Sequence, residues 1–354
     1  MGTLVLTPAT DRADDPAIEQ AAAHLRAGEL VALPTETVYG IAARSDSETA
    51  VARLRTLKGR DADKPFTLAC PSREIAFAHA ASVPATALRL AERYWPGPLT
   101  LVLPTPDGST IGLRVPAHAL TKRILEVAGC GAWLPSANPA GEAPALDAAG
   151  VLAYFDGVVD VVVDGGRAPI GQASTIVRCD RARLEVLRTG LLGVDDVMRV
   201  AQRRVLFVCS GNTCRSPMAA ALLRLALARK LGVEPHELDA AGFVVGSAGL
   251  HAATGDAVSS GARAAMARRN VDVSSHRARR LTPELLAAQD LVLVMTNRLA
   301  HELRRLAPHP ERVRLVDRNG GDVVDPYGGS DAEYEHCALE LDSKIAPIAE
   351  ALIP

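Results

Sequence analysis

The sequence is poor in aromatic rings: Phe, Trp and Tyr together make up 3% of it. Its cores must therefore be filled mainly by Ala, Val and Leu. No charge sign prevails, and a formal net charge of −2 supplies no global basic field to draw the whole chain onto nucleic acid. No apolar run approaches the roughly 18 uncharged residues of a membrane span, so none is expected. The opening MGTLVLTPATDRADD is short in apolar length and turns acidic, so no secretory leader is expected either. Gly2 begins like a myristoylation signal, but Leu6 stands where Ser or Thr is required. Internal repeats and low-complexity tracts are missing, as are a GxxxxGK[ST] phosphate loop and a Rossmann glycine fingerprint. The cysteines Cys70, Cys130, Cys179, Cys209, Cys214 and Cys337 are scattered, apart from one pair five residues apart. The reducing cytoplasm is the expected compartment, where a cysteine is more often catalytic or buried than disulfide-bonded.

The 354 residues suggest two domains. In the first two thirds, short β runs alternate with helical stretches. LVALPT, PFTLAC, LTLVLP, VVDVVVD and STIV read as strands, with helices at Pro16–Ala27 and Ser47–Leu57. Val194–Ala201 carries helical spacing with Asp195 and Asp196 in its first turn, where acids suit the helix dipole. A fresh strand, VLFVC, starts at Val205, and a helix is predicted from about Pro217 to Leu231. VLVMT and RVRLV follow as strands, and a closing helix starts near Asp331. Strands alternating with helices predict a parallel α/β sheet here. The boundary is expected at about Gln202–Arg204, giving domains at 1–201 and 204–354.

The strongest chemical phrase is CSGNTCRS, Cys209 to Ser216, between a strand and a helix. Such a loop aims backbone N–H groups and the positive end of a helix at a phosphate. Gly211 tolerates a tight turn, and Arg215 offers a planar fork for two phosphoryl oxygens. A cysteine at a helix N-terminus beside cations forms its thiolate more readily, so Cys209 is the candidate nucleophile of a phosphocysteine intermediate. Ser216 can stabilise that thiolate as a leaving group. Asn212 is a candidate brace of the loop and part of the substrate-binding turn. Downstream, DPYGGS places Asp325 as candidate general acid, then base for water, and Tyr327 as an aromatic wall. Cys214 reads either as a redox partner that protects Cys209 or as a buried structural thiol.

This region resembles the low-molecular-weight protein phosphatases from about Arg204 to Pro354, through CSGNTCRS, GSAGL, DLVLVMT and DPYGGS. The resemblance implies a three-layer α/β/α domain with a parallel sheet and Cys209, Arg215 and Asp325 in catalysis. It implies no metal ligand and no cofactor. Thr213 stands where the tyrosine phosphatases often have Ile, which resembles the arginine-phosphatase branch. The resemblance implies a phosphorylated protein as substrate, carrying phosphoarginine or phosphotyrosine. Arsenate reduction on the same fold is disfavoured, because no redox cysteine lies between Cys214 and Cys337.

The N-terminal phrases are LPTETVYGIA, LKGRDADKP, WPGPLTLVLP, LPSANPAGEAP, GQASTIVRC and VLRTG. From residue types alone, Lys58, Arg60, Lys64 and Arg114 could hold anions, with Ser136, Asn138, Ser174 and Thr175 as hydrogen-bonders. Together the phrases resemble the YrdC family of L-threonylcarbamoyladenylate synthases, from about Asp15 to Arg199. The resemblance implies an α/β domain with a twisted sheet around an open, positive cavity. It implies condensation of L-threonine, bicarbonate and ATP with Mg²⁺ into threonylcarbamoyl-AMP. Separate proteins would then transfer the threonylcarbamoyl group to tRNA; direct tRNA binding is left open. In that frame Thr35, Lys58, Arg60 and Arg114 hold threonine and the developing carbamate. Lys64 neutralises the triphosphate, and Ser136, Asn138, Ser174, Thr175 and Arg188 line the nucleotide site. The sequence departs from the family at Pro135, which stands where Thr is usual, and in carrying a phosphatase where larger members carry another domain. A chain whose N-terminal half only binds nucleotide or RNA is the competing reading.

Overall fold

The computed structural model describes residues 2–59, 66–180 and 183–353. Arg60 and Lys64 lie outside the described residues. The chain divides into two compact units, Met1–Ala201 and Gln202–Pro354.

The first unit is built on ten strands: β1 (Leu4–Leu6), β2 (Val31–Leu33), β3 (Gly40–Arg44), β4 (Thr67–Ala69), β5 (Leu99–Pro104), β6 (Thr110–Arg114), β7 (Ala132–Trp133), β8 (Val161–Val163), β9 (Thr175–Cys179) and β10 (Leu184–Arg188). They form one mixed sheet in the order β1-β8-β2-β3-β7-β4-β6-β5-β9-β10. Side chains along β2 and β8 alternate between two apolar layers: Val31, Leu33, Val161 and Val163 face one, Ala32 and Val162 the other. That two-sided burial is why these strands read as unbroken apolar runs. The first helix starts at Pro16, with the Asp15 carboxylate accepting from Ala17 N, and ends at Arg26. The second runs Glu48–Lys58; Ser47 caps its start and Gly59, at φ 53°, ends it in the left-handed region. That cap sets Lys58 at the end of the helix.

The second unit has four parallel strands, β11 (Arg203–Cys209), β12 (Phe243–Gly249), β13 (Leu291–Val294) and β14 (Val313–Leu315), in the order β12-β11-β13-β14. Val205, Phe207 and Cys209 face a core shared with helices Arg215–Leu231 and Asp331–Leu352. Leu206 and Val208 face the opposite core, which holds Leu299 and Leu303 of helix Asn297–Leu306. This is the three-layer α/β/α arrangement.

Two boundaries differ from the sequence-based expectation. Arg203 and Arg204 are not a linker: they pair in β11 with Phe243 and Val244. The helix expected from Pro217 begins earlier, at Arg215, with Cys214 at its N-cap. Pro217 is tolerated because it still falls in the first turn, where N–H groups lack intrahelical acceptors. Strands β3, β6 and β12 were not singled out as strands, since glycines and polar residues of the motifs interrupt their apolar pattern. No helix among the described residues is long and apolar enough to cross a membrane.

Gly190 is fixed by its neighbours: a Cβ there would lie 2.1 Å from Ala173 O and 2.7 Å from Thr175 N. Backbone cannot step aside as a flexible side chain can. Gly190→Ala is therefore expected to destabilise the first unit by about 1–3 kcal/mol. An unchanged urea midpoint in the variant would contradict this packing.

Candidate functional sites

In the first unit, the ends of β3, β4, β6 and β9 and the loops beside them enclose a cavity of about 500 Å³. Its wall includes Thr35, Lys58, Arg114, Ser136, Asn138, Ser174 and Arg188. Lys58 is buried, and its Nζ donates to Ser136 O at 2.8 Å, to Asn138 O and toward Asn138 Oδ1 at 3.3 Å. The ammonium thus pins the Ser-Ala-Asn segment from below. Ser136 Oγ in turn donates to Asn138 Oδ1 at 2.6 Å.

Arg114, at the end of β6, is also buried. Its Nη2 donates to Glu36 Oε1 at 2.7 Å and to Thr37 Oγ1 at 2.9 Å, and its Nε to Gly97 O at 3.2 Å. Glu36 also accepts from Ala117 N at 2.9 Å. Glu36, Thr37 and Tyr39 were not singled out as site residues from the sequence, although all three lie within the phrase LPTETVYGIA. The Tyr39 hydroxyl donates to Gly166 O at 2.7 Å, and burial pushes its pKa up to about 12.

Two expected cavity residues have different work. The Thr35 hydroxyl lies on the wall, but it donates to Val38 O at 2.5 Å and accepts from Thr37 N and Val38 N. It closes its own turn. Thr175 is not on the wall: its fully buried hydroxyl donates to Leu192 O and accepts from Gly190 N and Leu192 N. Thr175 opens β9 with its side chain turned inward, whereas Ser174, just before the strand, stays on the wall. Ser174 Oγ meets Thr100 Oγ1 at 2.9 Å and Arg188 Nη2 at 3.2 Å. Pro135 does not interrupt the pairing beside the site: the bridge between Gly40 and Ser136 uses Ile41 N to Pro135 O and Ala137 N to Tyr39 O. The ladder asks Pro135 only for its carbonyl.

In the second unit, Cys209 ends β11 and the chain turns through Ser210–Cys214 into helix Arg215–Leu231. Asn212 stands at φ 57° and is fully buried. Its N–H donates to Cys209 Sγ at 3.2 Å. Its Nδ2 donates to Ser216 Oγ at 2.8 Å and Ser247 Oγ at 2.9 Å, and its Oδ1 accepts from Arg279 N at 2.9 Å. All side-chain positions are taken, so Asn212 braces the loop and offers nothing of its side chain to a substrate. Since Ser216 accepts from Asn212, its own proton is available to Cys209 Sγ at 3.0 Å; the alternative acceptor, Ala248 O, lies at 3.4 Å. Among the described residues, the backbone N–H groups of Gly211, Thr213, Cys214 and Arg215 have no acceptor. They form an anion cradle at a helix N-terminus.

Arg215 is buried at 5% exposure; Nη1 donates to Val323 O at 2.9 Å and Nη2 to Asp325 Oδ2, while Nε has no partner among the described residues. A buried donor left open in this loop fits an anion. Thr213 is half-buried, and its Oγ1 has only the Cys214 sulfur, at 3.7 Å. The two sulfurs of the loop face different partners, Cys214 Sγ meeting Ser259 Oγ at 3.2 Å, and all six cysteines are free. Tyr327 is 75% exposed beside Asp325. His276, Ser247 and Arg279 were invisible as loop supports in the sequence. His276 Nε2 lies 2.8 Å from Asn212 O, and Arg279 Nε donates to Ser247 O at 2.8 Å.

Comparison with known proteins follows the division into units. The family model described as Sua5/YciO/YrdC, "Telomere recombination", matches residues 23–190, and that described as "Low molecular weight phosphotyrosine protein phosphatase" matches residues 204–353. A putative threonylcarbamoyl-AMP synthase of Mycobacterium leprae is 33% identical over 192 residues, which are 52% of this chain and 87% of that protein. The chain belongs to both families, one in each unit. The threonylcarbamoyl-AMP synthase of Pyrococcus abyssi is 37% identical over 199 residues, 54% of this chain. The chain spans only 58% of that protein's length. The solved structure of a P. abyssi Sua5 variant covers 58% of this chain and 71% of its own, at 32% identity and a TM-score of 0.53. The YwlE arginine phosphatase from Geobacillus stearothermophilus covers 42% of this chain and 92% of its own, at 33% identity and a TM-score of 0.37.

Burial holds the His276 imidazole below its ordinary value of 6.5. The neutral ring, with its proton on Nε2, fits the contact with Asn212 O. As pH falls, the unfolded chain takes up this proton before the folded one does. The phosphatase unit is therefore expected to keep His276's full contribution above about pH 6.5 and to lose it progressively below. His276→Gln, which retains a donor, should flatten that slope in urea midpoints measured between about pH 7.5 and about pH 5. Equal slopes in both proteins would rule the imidazole out as the cause.

Proposed function

We propose that the chain is a bifunctional enzyme. Its Sua5/YrdC unit condenses L-threonine, bicarbonate and ATP into threonylcarbamoyl-AMP with release of pyrophosphate. Its phosphatase unit hydrolyses phosphorylated protein through a phosphocysteine. The observation that supports the first is one cavity joining Lys58, Arg114 and Arg188 with the hydroxyls of Ser136 and Ser174. The observation that supports the second is the buried Arg215, whose Nε is open, at the end of the loop in which Ser216 Oγ and Asn212 N contact Cys209 Sγ.

In the synthase, Arg114 would take the threonine carboxylate, which must compete with Glu36 for the guanidinium. Lys58, with Arg60, would stabilise the carbamate, and Lys64 the triphosphate. Ser136, Asn138, Ser174 and Arg188 would receive the nucleotide. Mg²⁺ belongs to the substrate as MgATP, whose charge it neutralises. Catalysis is positioning and charge stabilisation, with no covalent enzyme intermediate. The product would feed tRNA modification through separate transfer proteins.

In the phosphatase, the Cys209 thiolate attacks phosphorus while the N–H groups of the loop and the Arg215 fork hold the equatorial oxygens. The bond to the leaving group breaks as Asp325 protonates it. Water, deprotonated by Asp325, then displaces the thiolate from phosphorus, with Ser216 donating to the departing sulfur. We propose phosphoarginine as the substrate, on the ground that Thr213 narrows the loop and leaves its hydroxyl available to the attacking water.

Threonine-dependent pyrophosphate release is expected from the full chain, lost at least tenfold in Lys58→Ala. No release, from protein that still turns over a phosphatase substrate, would leave the first unit a binding module. Asp325→Asn is expected to lower phosphatase kcat by about 10²–10⁴-fold. Thr213→Ile should shift the ratio of phosphoarginine to phosphotyrosine turnover toward phosphotyrosine. An unchanged ratio would remove Thr213 from the specificity argument.

A further inference from the structure

The second unit holds a cavity away from Cys209. It measures about 790 Å³ and opens where the first residues of β11 and β13, strand β14 and the end of helix Asp331–Leu352 meet. Arg203 on its wall and Cys209 are the two ends of one seven-residue strand, about 20 Å apart at the rise of a β-strand. The two sites are therefore distinct.

Five arginines line the cavity, Arg203, Arg304, Arg312, Arg314 and Arg318, against three carboxylates, Asp290, Glu311 and Asp317. Two of those acids are committed elsewhere: Asp317 Oδ2 pairs with Lys344 Nζ at 2.6 Å, and Asp290 Oδ2 accepts from Arg204 N at 2.8 Å. Arg304 and Arg312 are tied to carbonyl oxygens, of Val313 and Gln289. The side chains of Arg203, Arg314 and Arg318 have no hydrogen-bond or ion-pair partner among the described residues. Arg318 sits on a turn that the Asp317–Lys344 pair fastens to the last helix, so its backbone is held in place. Among the arginines the wall also carries the half-buried Leu291, Leu315 and Leu352.

We infer that this cavity binds a nucleoside triphosphate. Guanidinium forks match phosphoryl oxygens two at a time and also stack on planar rings. The leucine surface suits a base, and the volume is that of one small-molecule site. A purely inorganic anion would leave the apolar wall unused. An extended acidic peptide would need a groove rather than a cavity of this size.

Hydrogen exchange on the full chain reads this site separately from the other two. ATP is expected to protect residues 311–318 and the end of helix Asp331–Leu352. The double variant Arg314→Ala, Arg318→Ala should weaken that protection at least tenfold in ATP concentration while leaving Cys209 turnover unchanged. Adenosine alone should protect weakly, and tripolyphosphate less than ATP. Absence of protection in these segments at saturating ATP would overturn the inference, as would protection that survives in the double variant. Equal protection by tripolyphosphate, or protection by a glutamate-rich peptide in place of ATP, would overturn the ligand class.

Discussion

A guanidinium taken out of water must be paired, and the candidate sites of both units are organised around that requirement. Desolvating a charge costs several kcal/mol even after relaxation. Arg114 and Arg215 are both at least nine-tenths buried, and in each case the compensating carboxylate comes from a loop, Glu36 or Asp325. The pair does two things at once. It makes burial of the arginine tolerable before any ligand arrives, and it orients the fork toward the place where an anion would sit. An incoming carboxylate or phosphate then exchanges one negative partner for another, with little rebuilding of the site.

The pairing carries different consequences in the two units. Glu36 is held by a second contact, from Ala117 N, and is nearly as buried as its partner. Removing Arg114 would leave a buried carboxylate uncompensated, so damage there would reach the fold as well as the site. Asp325 is 45% exposed. It can leave Arg215 for water without such a penalty, as the proposed role of general acid requires.

Local motifs were legible in the sequence because their residues are already neighbours along the chain. CSGNTCRS sets candidate nucleophile, backbone N–H groups and arginine along one loop, and the Ser-Ala-Asn segment brings Ser136 beside Asn138. Strand and helix alternation likewise made the α/β class legible, since both faces of β11 are apolar in period two. Supports that arrive from far away left no such trace. Ser247 meets Asn212 across 35 positions, Arg279 across 67, and Glu36 meets Arg114 across 78. Nothing local marks these residues out. Thr175 was misplaced for the opposite reason: it is adjacent to Ser174 in sequence, but it opens β9 with its hydroxyl buried against Gly190 and Leu192.

Asn212 shows how few side chains would satisfy the loop at this position. Its left-handed backbone is one that asparagine adopts more readily than most side chains, at a cost that glycine would avoid. Glycine would relieve the backbone yet lose the three side-chain contacts that tie the loop to Ser216, Ser247 and Arg279. Aspartate would keep the shape but exchange two donated hydrogens for a second acceptor, placed against the Ser216 oxygen that must itself donate to Cys209. Only a side chain with a donor end and an acceptor end, on a residue that accepts positive φ, satisfies both demands. The mild strain at Asn212 is thus the local cost of keeping the Ser216 proton directed at sulfur.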